Sequence, residues 1–183
     1  MRGFPIEPHK FRIYKARLVS EYTVNTGRVL EVGCGLRHYK RFCRAAEYVG
    51  IDLNTSLRPD VWASADHLPF RETCFDLVIM FDVIEHVSDV DSALAEAARV
   101  LRHNGKVLVT TPNTLGFGIY DSYADKTHKH HFTWQSMEKI LSLNGLRVVK
   151  RIPLHLHIFW PFRVIHSKIL LRLQQCICLV AQK

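Results

Sequence analysis

Short apolar runs alternate along the chain with amphipathic stretches, a pattern that predicts strands covered on both faces by helices. The predicted strands span residues 28–32, 48–52, 61–63, 75–81, 106–111 and 146–152. The predicted helices span residues 9–22, 37–46 and 89–103, with a further helix that starts at Thr133 and ends at Asn144-Gly145. This alternation indicates an α/β fold.

Two of the predicted helices carry clear end signals. Asp89 gives the helix over 89–103 an acidic first turn, and Asn104-Gly105 follows it as a stop signal. Thr133 is the predicted N-cap of the later helix. Both helices therefore have bounds that the sequence alone can place.

Residues 154–175 are rich in large apolar side chains, with basic residues between them. Pro161 can open a helix at its first turn, which predicts a basic amphipathic helix after it. Residues 158–173 could then lie on an anionic membrane surface, form a lid over the domain or make a dimer contact. These alternatives stay open at this point.

Two glycines and an acidic residue follow the ends of the first two predicted strands. Gly33 and Gly35 come directly after the strand over 28–32, and Asp52 closes the next strand about twenty residues later, a spacing typical of nucleotide sites. The glycines leave backbone room for a ligand, and the Asp52 carboxylate can accept both hydroxyls of a ribose. The pattern predicts a site for a nucleoside cofactor.

These segments resemble the motifs of the class I S-adenosylmethionine-dependent methyltransferases. The first motif is matched by residues 29–35, and later motifs are matched, in the family's order, by residues 63–70, 75–87 and 99–113. The resemblance covers roughly residues 28–152. It implies an α/β fold with a single Rossmann-like, doubly wound, mostly parallel seven-stranded sheet. Residues 176–180 would form the antiparallel last strand, inserted between strands 5 and 6.

The length and the 48% apolar content fit one domain over residues 1–183, with residues 1–25 as a basic N-terminal helix and cap, and 154–175 as an amphipathic insertion before the last strand. The resemblance implies S-adenosylmethionine as the cofactor and S-adenosylhomocysteine as the product. The implied cofactor-binding residues are Glu31, Gly33, Cys34, Gly35, Asp52, Leu53, Ser64, Ala65, Asp66, Phe81, Asp82 and Val83.

The chain departs from the family pattern in two places. His38 stands where a GxGxxG pattern would have its third glycine, which disfavours a nicotinamide-dependent oxidoreductase. Ser64 stands where the family usually has an aspartate that accepts the adenine amino group, with Asp66 two positions later. Serine can still accept one hydrogen bond, so this change weakens the cofactor prediction without removing it.

Methyl transfer from a sulfonium requires an aligned acceptor and, where needed, a base that removes its proton. Histidines are the natural candidates because their ordinary pKa lies near neutrality. We predict His86 and His131 as the catalytic residues. His131 belongs to a loop cluster with His128 and His130.

We expect no resident metal. Some family members hold a divalent ion with an acid-x-x-Glu-His run and a distant histidine, and Asp82, Glu85 and His86 with a loop histidine could imitate that set. This alternative also stays open.

Charge is unevenly placed along this chain of net charge +8. Residues 1–44 carry ten Lys and Arg against three Asp and Glu, residues 45–100 three against eleven, and residues 101–183 twelve against three. The acidic middle suits a cationic cofactor, and the basic ends would face something acidic. An ordinary solvated surface explains the basic excess equally well.

The expected acceptor is a small molecule or a lipid- or glycan-linked one. DNA is not expected because the target-base motifs of DNA methyltransferases are missing, whereas RNA stays a less favoured alternative because the ends are basic. A non-catalytic cofactor-binding or partner-interaction module is the second hypothesis. The chain would be a monomer or a homodimer.

The sequence also predicts a cellular location. The five cysteines are odd in number and scattered, which suits a reducing cytosol. We find no signal-peptide pattern and no run of eighteen apolar residues. A cytoplasmic protein, with peripheral membrane contact as an option, is therefore expected.

Overall fold

The computed structural model describes residues 8–115, 119–154, 157–158, 163–164 and 173–183. The helices are α1 (Pro8–Tyr22), α2 (Val90–Val100), α3 (Ile119–Ala124) and α4 (Trp134–Leu143). The strands are β1 (Arg28–Val32), β2 (Glu47–Asp52), β3 (Val61–Trp62), β4 (Phe75–Phe81), β5 (Leu101–Pro112), β6 (Arg147–Arg151), β7 (His157–Ile158), β8 (Arg163–Val164) and β9 (Cys176–Gln182).

Seven of these strands form one sheet in the order β3-β2-β1-β4-β5-β9-β6. Strands β1 to β5 pair in parallel, and β9 pairs antiparallel with both β5 and β6. The doubly wound sheet with an inserted antiparallel last strand is therefore confirmed. β2 lies on one side of β1 and β4 lies on the other, so the strand order reverses at β1. A crevice opens at the strand ends beside such a switch point.

Alternate residues of the central strands pack on opposite faces of the sheet. Leu30 and Val78 belong to the core cluster that α2 and α4 cover, whereas Val29 and Leu77 belong to the cluster that α1 covers. Both faces of the sheet are buried, which is why the strands are apolar at successive positions, as the sequence pattern predicted. The helix predicted over 9–22 is confirmed as α1, which places a basic segment beside the sheet.

The helix predicted over 37–46 is wrong, because this connection contains only a single 3₁₀ turn, Lys40–Phe42. Gly35 and Arg37 have positive φ angles of 50° and 55°, so the backbone cannot enter a right-handed helix there. Tyr39 and Phe42 cover the sheet instead, packed against the second core cluster.

The predicted end of α2 and start of β5 are also wrong. The helix ends at Val100, since Leu101 is extended, fully buried and paired with Phe75 of β4. Asn104 has a φ of 64° and lies with Gly105 in an irregular part of β5, between the Phe75 pair and the pair of Leu77 with Lys106. The Asn-Gly signal marks this bulge rather than a helix end.

The helix predicted to follow Pro161 fails at Arg163 and Val164. These two residues form β8, which pairs antiparallel with His157–Ile158 of β7. Residues 159–162 and 165–172 lie outside the described part of the chain, so the remainder of that prediction is not addressed. Within the described residues, none of the helices has the length and apolar character that crossing a bilayer requires.

Helix α4 begins where the sequence predicted, and its first turn is held by a reciprocal capping box. The Thr133 hydroxyl accepts a hydrogen bond from the Ser136 amide at 3.1 Å, and the Ser136 hydroxyl accepts one from the Thr133 amide at 2.9 Å.

Replacing Thr133 with alanine should therefore lower the free energy of unfolding by about 1 kcal/mol, because a helix-end donor loses its partner. Urea denaturation measures the change, and Thr133→Ser, which keeps the hydroxyl, should stay near the unmodified protein. Equal stability of the alanine variant would show that this cap contributes nothing.

Candidate cofactor and acceptor site

Two cavities open at the carboxyl ends of the parallel strands, and they share Asp82 and His86. The glycine cleft, of about 330 Å³, is lined by Val32, Gly33, Asp52, Leu53, Ala63, Ser64, Ala65, Asp66, Asp82, Val83, His86, Val87, Ser88 and Lys129. The outer cavity, of about 790 Å³, is lined by Arg12, Lys15, Tyr39, Asp82, Glu85, His86, Pro112, Ala124, Asp125, Lys126, His128, Gln175 and Cys176. A molecule in one cavity can thus meet a molecule in the other at the tip of β4.

The chain turns sharply after β1 through two glycines with positive φ. A Cβ atom on Gly33, whose φ is 66°, would lie 2.4 Å from Cγ2 of Val83, so no larger residue fits there. A Cβ atom on Gly35 would meet nothing within 4 Å, and its amide donates to Oδ2 of Asp52 at 2.8 Å. The first glycine is required by packing and the second by backbone conformation.

Asp52 is held at the end of β2 by two backbone amides. Oδ2 accepts from Gly35, and Oδ1 accepts from Asn54 at 2.8 Å. Each carboxylate oxygen has a further lone pair, so this fixed group can still accept hydrogen bonds from a ligand in the glycine cleft.

The departure at Ser64 is compensated by its neighbour. The Ser64 hydroxyl donates to Oδ1 of Asp66, and both residues line the glycine cleft. Hydrogen bonds from Ser64 and then His67 hold the pKa of Asp66 below its usual range, so this carboxyl is ionised. The cleft therefore keeps a carboxylate in this region, although Ser64 stands at the position where the family usually has an aspartate.

Asp82 lies at the tip of β4 in a left-handed conformation, with a φ of 53°. Its carboxylate accepts from the Lys15 ammonium of α1 and, at 2.9 Å, from the Thr110 hydroxyl of β5. Burial alone would lower the pKa of Lys15, but the attraction of Asp82 outweighs it and the pKa is raised. Lys15 thus stays charged while only 4% exposed, and α1 is fixed to the sheet at the junction of the two cavities.

Glu85, His86 and His128 form a second polar group at this junction. Glu85 is 1% exposed, both of its carboxylate oxygens lack a hydrogen-bond partner among the described residues, and burial together with the charge of Asp82 raises its pKa. The rings of His86 and His128 lie 4.7 Å apart between centroids. One ligand atom from each of the three residues lies within 4.8 Å of the others, so the group has donors that could hold a divalent ion. The expected absence of a metal stays a prediction.

Backbone carbonyls orient both rings. Nδ1 of His86 donates to the Thr127 carbonyl at 3.2 Å, and Nδ1 of His128 donates to the Ser122 carbonyl at 2.8 Å. With Nδ1 as the donor, Nε2 of His86 can act as an acceptor toward a ligand, whereas Nε2 of His128 lies 3.8 Å from Oδ2 of Asp125.

The other loop histidines have different surroundings. Nε2 of His130 donates to the Val87 carbonyl at 3.0 Å. His131 is joined to the Ser122 hydroxyl at 2.9 Å and stacks on Tyr123, with 4.1 Å between ring centroids. Neither residue lines the two cavities. The structure groups His86 with His128, and a catalytic role for His131 stays a prediction.

Most of the predicted cofactor residues are brought together in one cleft. Gly33, Asp52, Leu53, Ser64, Ala65, Asp66, Asp82 and Val83 line it, whereas Glu31, Cys34, Gly35 and Phe81 do not.

The four predicted residues outside the cleft lining lie beside it. Glu31 and Cys34 are buried, and Glu31 accepts a hydrogen bond from the Tyr48 hydroxyl. The Gly35 amide donates to Asp52, which lines the cleft, and the Phe81 ring packs edge-on against the Tyr39 ring. Lys129, which also lines the cleft, was not predicted, although it lies in the same loop as His128, His130 and His131.

A family model described as a methyltransferase domain matches residues 9–151. The chain belongs to this family. Together with its strand order, the match places the chain among the class I S-adenosylmethionine-dependent methyltransferases, and S-adenosylmethionine is the cofactor of that family.

Individual methyltransferases are similar over part of their length. The chain is 34% identical over 101 residues to a probable S-adenosylmethionine-dependent methyltransferase of Mycobacterium tuberculosis, a match over 49% of this chain and 37% of that protein. It is 33% identical over 101 residues to a ubiquinone biosynthesis O-methyltransferase of Rhodopseudomonas palustris, over 47% and 40% of the two proteins. The chain thus spans about two fifths of the length of these relatives.

A solved structure shows the same fold over nearly the whole chain. The crystal structure of a SAM-dependent methyltransferase from Archaeoglobus fulgidus aligns with a TM-score of 0.74 at 19% identity, over 94% of both chains.

The glycine cleft of this methyltransferase fits the family's cofactor. Asp52 and Asp66 place two carboxylates in the lining of the cleft beside the ammonium of Lys129, whereas Asp82 is paired with Lys15. A cofactor with a sulfonium and an ammonium group is favoured by that balance of charge. The fixed acceptor atoms of Asp52 also match the hydroxyls of a ribose.

Asp52→Ala should weaken the binding of S-adenosylhomocysteine by about 1–3 kcal/mol, because hydrogen bonds to a charged acceptor are lost and the Gly35 amide loses its partner. Calorimetry measures the affinity. Glu47→Gln, an exposed change on the same strand, is the control and should bind as the unmodified protein does. Full affinity in Asp52→Ala would mean that the ribose is held elsewhere.

Burial raises the pKa of Glu31 from 4.5 to about 7, although the hydrogen bond from Tyr48 opposes the shift. Between these two values the unfolded chain has lost this proton while the folded chain keeps it, so the free energy of unfolding falls as the pH rises. Glu31→Gln should therefore gain stability relative to the unmodified protein between pH 5 and pH 8.

Urea denaturation at both pH values measures this gain, with Glu47→Gln as the exposed control whose offset should not change. A Glu31→Gln offset that is the same at both pH values would contradict the raised pKa.

Proposed function

We propose that this chain transfers a methyl group from S-adenosylmethionine to a hydroxyl of a small or lipid-linked acceptor. The single observation that carries the proposal is the pair of adjoining cavities that share Asp82 and His86. In-line displacement requires the donor and the acceptor to meet end to end, and adjoining cavities satisfy that requirement.

The cofactor would occupy the glycine cleft. We assign the ribose to Asp52, the adenine to the region of Ser64, Ala65 and Asp66, and the amino-acid portion to the turn after β1. Bound there, the cofactor supplies an already activated methyl group, so the chain itself needs only to align the acceptor and accept its proton.

The acceptor would occupy the outer cavity, with its hydroxyl directed at Asp82 and His86. A hydroxyl acceptor is supported by the similarity to a protein named as a ubiquinone biosynthesis O-methyltransferase. The volume of about 790 Å³ is sufficient for a small molecule or for the head of a lipid-linked one.

His86 would accept the proton of the acceptor hydroxyl at Nε2. Its Nδ1 is committed to the Thr127 carbonyl, which orients the ring, and the residue lines both cavities. His128 would steady the ring through their edge contact.

Calorimetry with S-adenosylmethionine and S-adenosylhomocysteine tests the first half of the proposal. Binding of both ligands is expected, whereas no heat with either would favour the alternative of a partner-interaction module. Release of S-adenosylhomocysteine in the presence of hydroxyl-bearing acceptors tests the second half, and binding without release by any of them would indicate a non-catalytic cofactor-binding module.

His86→Asn should lower kcat for methyl transfer by about 10²- to 10⁴-fold, the range for loss of a general base. The control is His103→Asn, an exposed change outside both cavities, and its kcat should not change. His128→Asn and His131→Asn are assayed beside it. They test whether the second histidine that matters is His128, which contacts His86, or His131, which the sequence predicted. An unchanged kcat in His86→Asn would remove this residue as the base.

A further inference from the structure

The outer cavity is lined by six residues of formal charge, drawn from α1, the tip of β4 and the segment after α3. They are Arg12, Lys15, Asp82, Glu85, Asp125 and Lys126. The contacts of each residue determine which charges remain for a ligand.

Three of the six are already neutralised or held by the chain. The buried ammonium of Lys15 and the half-exposed carboxylate of Asp82 form an ion pair, so together they present no net charge to the cavity. Glu85 is buried, and its carboxylate oxygens lack a hydrogen-bond partner among the described residues, which favours its protonated form.

Asp125 is the remaining carboxylate, and it is turned to its own loop. One oxygen accepts from the amide and the hydroxyl of Thr127, at 2.8 Å and 2.6 Å, and the other lies 3.8 Å from Nε2 of His128. Its charge is therefore engaged locally.

Arg12 and Lys126 differ from the other four. Neither makes an ion pair or a side-chain hydrogen bond with any part of the chain that the structure describes, and both are exposed at the cavity. They come from segments that are far apart in the sequence, one from α1 and one from the segment after α3. Two unpaired cations lining one cavity repel each other unless an anion lies between them.

We infer that the acceptor of this methyltransferase carries an acidic group, a carboxylate or a phosphate, bound by Arg12 and Lys126 in the outer cavity. The inference rests on the proposed function, since it concerns the second substrate of that site. A guanidinium recognises a planar carboxylate or a phosphate with two parallel hydrogen bonds, and an ammonium adds a movable charge. The acidic group of the acceptor would then be the acidic partner that the basic segments of the sequence predict.

The experiment uses two probes of equal size that differ in charge, 4-hydroxybenzoate and its neutral analogue 4-hydroxybenzamide. Each is titrated by calorimetry into the protein saturated with S-adenosylhomocysteine. The acid should bind about tenfold or more tightly than the amide, the scale of hydrogen bonds between charged groups. Added salt should weaken the binding of the acid alone.

The variant Arg12→Gln/Lys126→Gln should remove the preference for the acid and leave the amide unaffected. Its matched control is Arg17→Gln/Lys139→Gln, which loses the same charge from exposed positions of α1 and α4 outside both cavities and should keep the preference. If the two double variants behave alike, the effect is one of overall charge and the assignment of Arg12 and Lys126 is wrong.

Failure of this inference is distinguishable from failure of the proposed function. If S-adenosylhomocysteine does not bind in the preparatory titration, the proposed function fails. If it binds but the acid is bound no better than the amide, including the case in which neither binds, the acidic acceptor is ruled out while the cofactor assignment stands.

Discussion

The ion pair between Lys15 and Asp82 is the interaction on which the arrangement of the site depends. A lysine that is 4% exposed requires a partner, because an unpaired buried ammonium is costly. Asp82 can be that partner only because the chain turns at the tip of β4 with a positive φ, which directs the carboxylate toward α1 as well as toward Thr110 of β5. The Asp82 carboxylate thus joins α1 to the ends of β4 and β5, and it lies where the two cavities meet.

The strands were predictable because burial on both faces leaves a strong sequence signal. Residues such as Leu77 to Phe81 must all be apolar when helices cover both sides of a parallel sheet. The predicted bounds of this strand, residues 75–81, were confirmed. Of the wrong helix predictions, the extension of α2 to residue 103 arose where local signals compete with tertiary pairing. Leu101 gains more by pairing with Phe75 in the core than by extending α2, so the Asn104-Gly105 signal was displaced into a bulge.

The site was predictable to the extent that strand ends determine it. Asp52 ends β2 and Asp82 directly follows β4, the two strands that flank β1 in parallel, and the topology brings such positions to one edge of the sheet. The loop contribution was not predictable to single residues. Residues 127–131 hold three histidines close in sequence, and the loop's contacts with Glu85 and Ser122 decide which ring meets His86. No periodicity encodes those contacts, so the sequence could indicate the cluster but not its member.

The distribution of charge provides a physical reason why two different molecules would enter the correct halves of the site. The glycine cleft has an excess of carboxylates, whereas the charges of the outer cavity that have no partner among the described residues are the cations Arg12 and Lys126. A cationic methyl donor is attracted to the first and repelled by the second, and an acidic acceptor has the opposite preference. The ion pair of Lys15 and Asp82, which carries no net charge, lies where the two cavities meet. If the proposed acceptor is acidic, charge would then discriminate between donor and acceptor before any close contact is made.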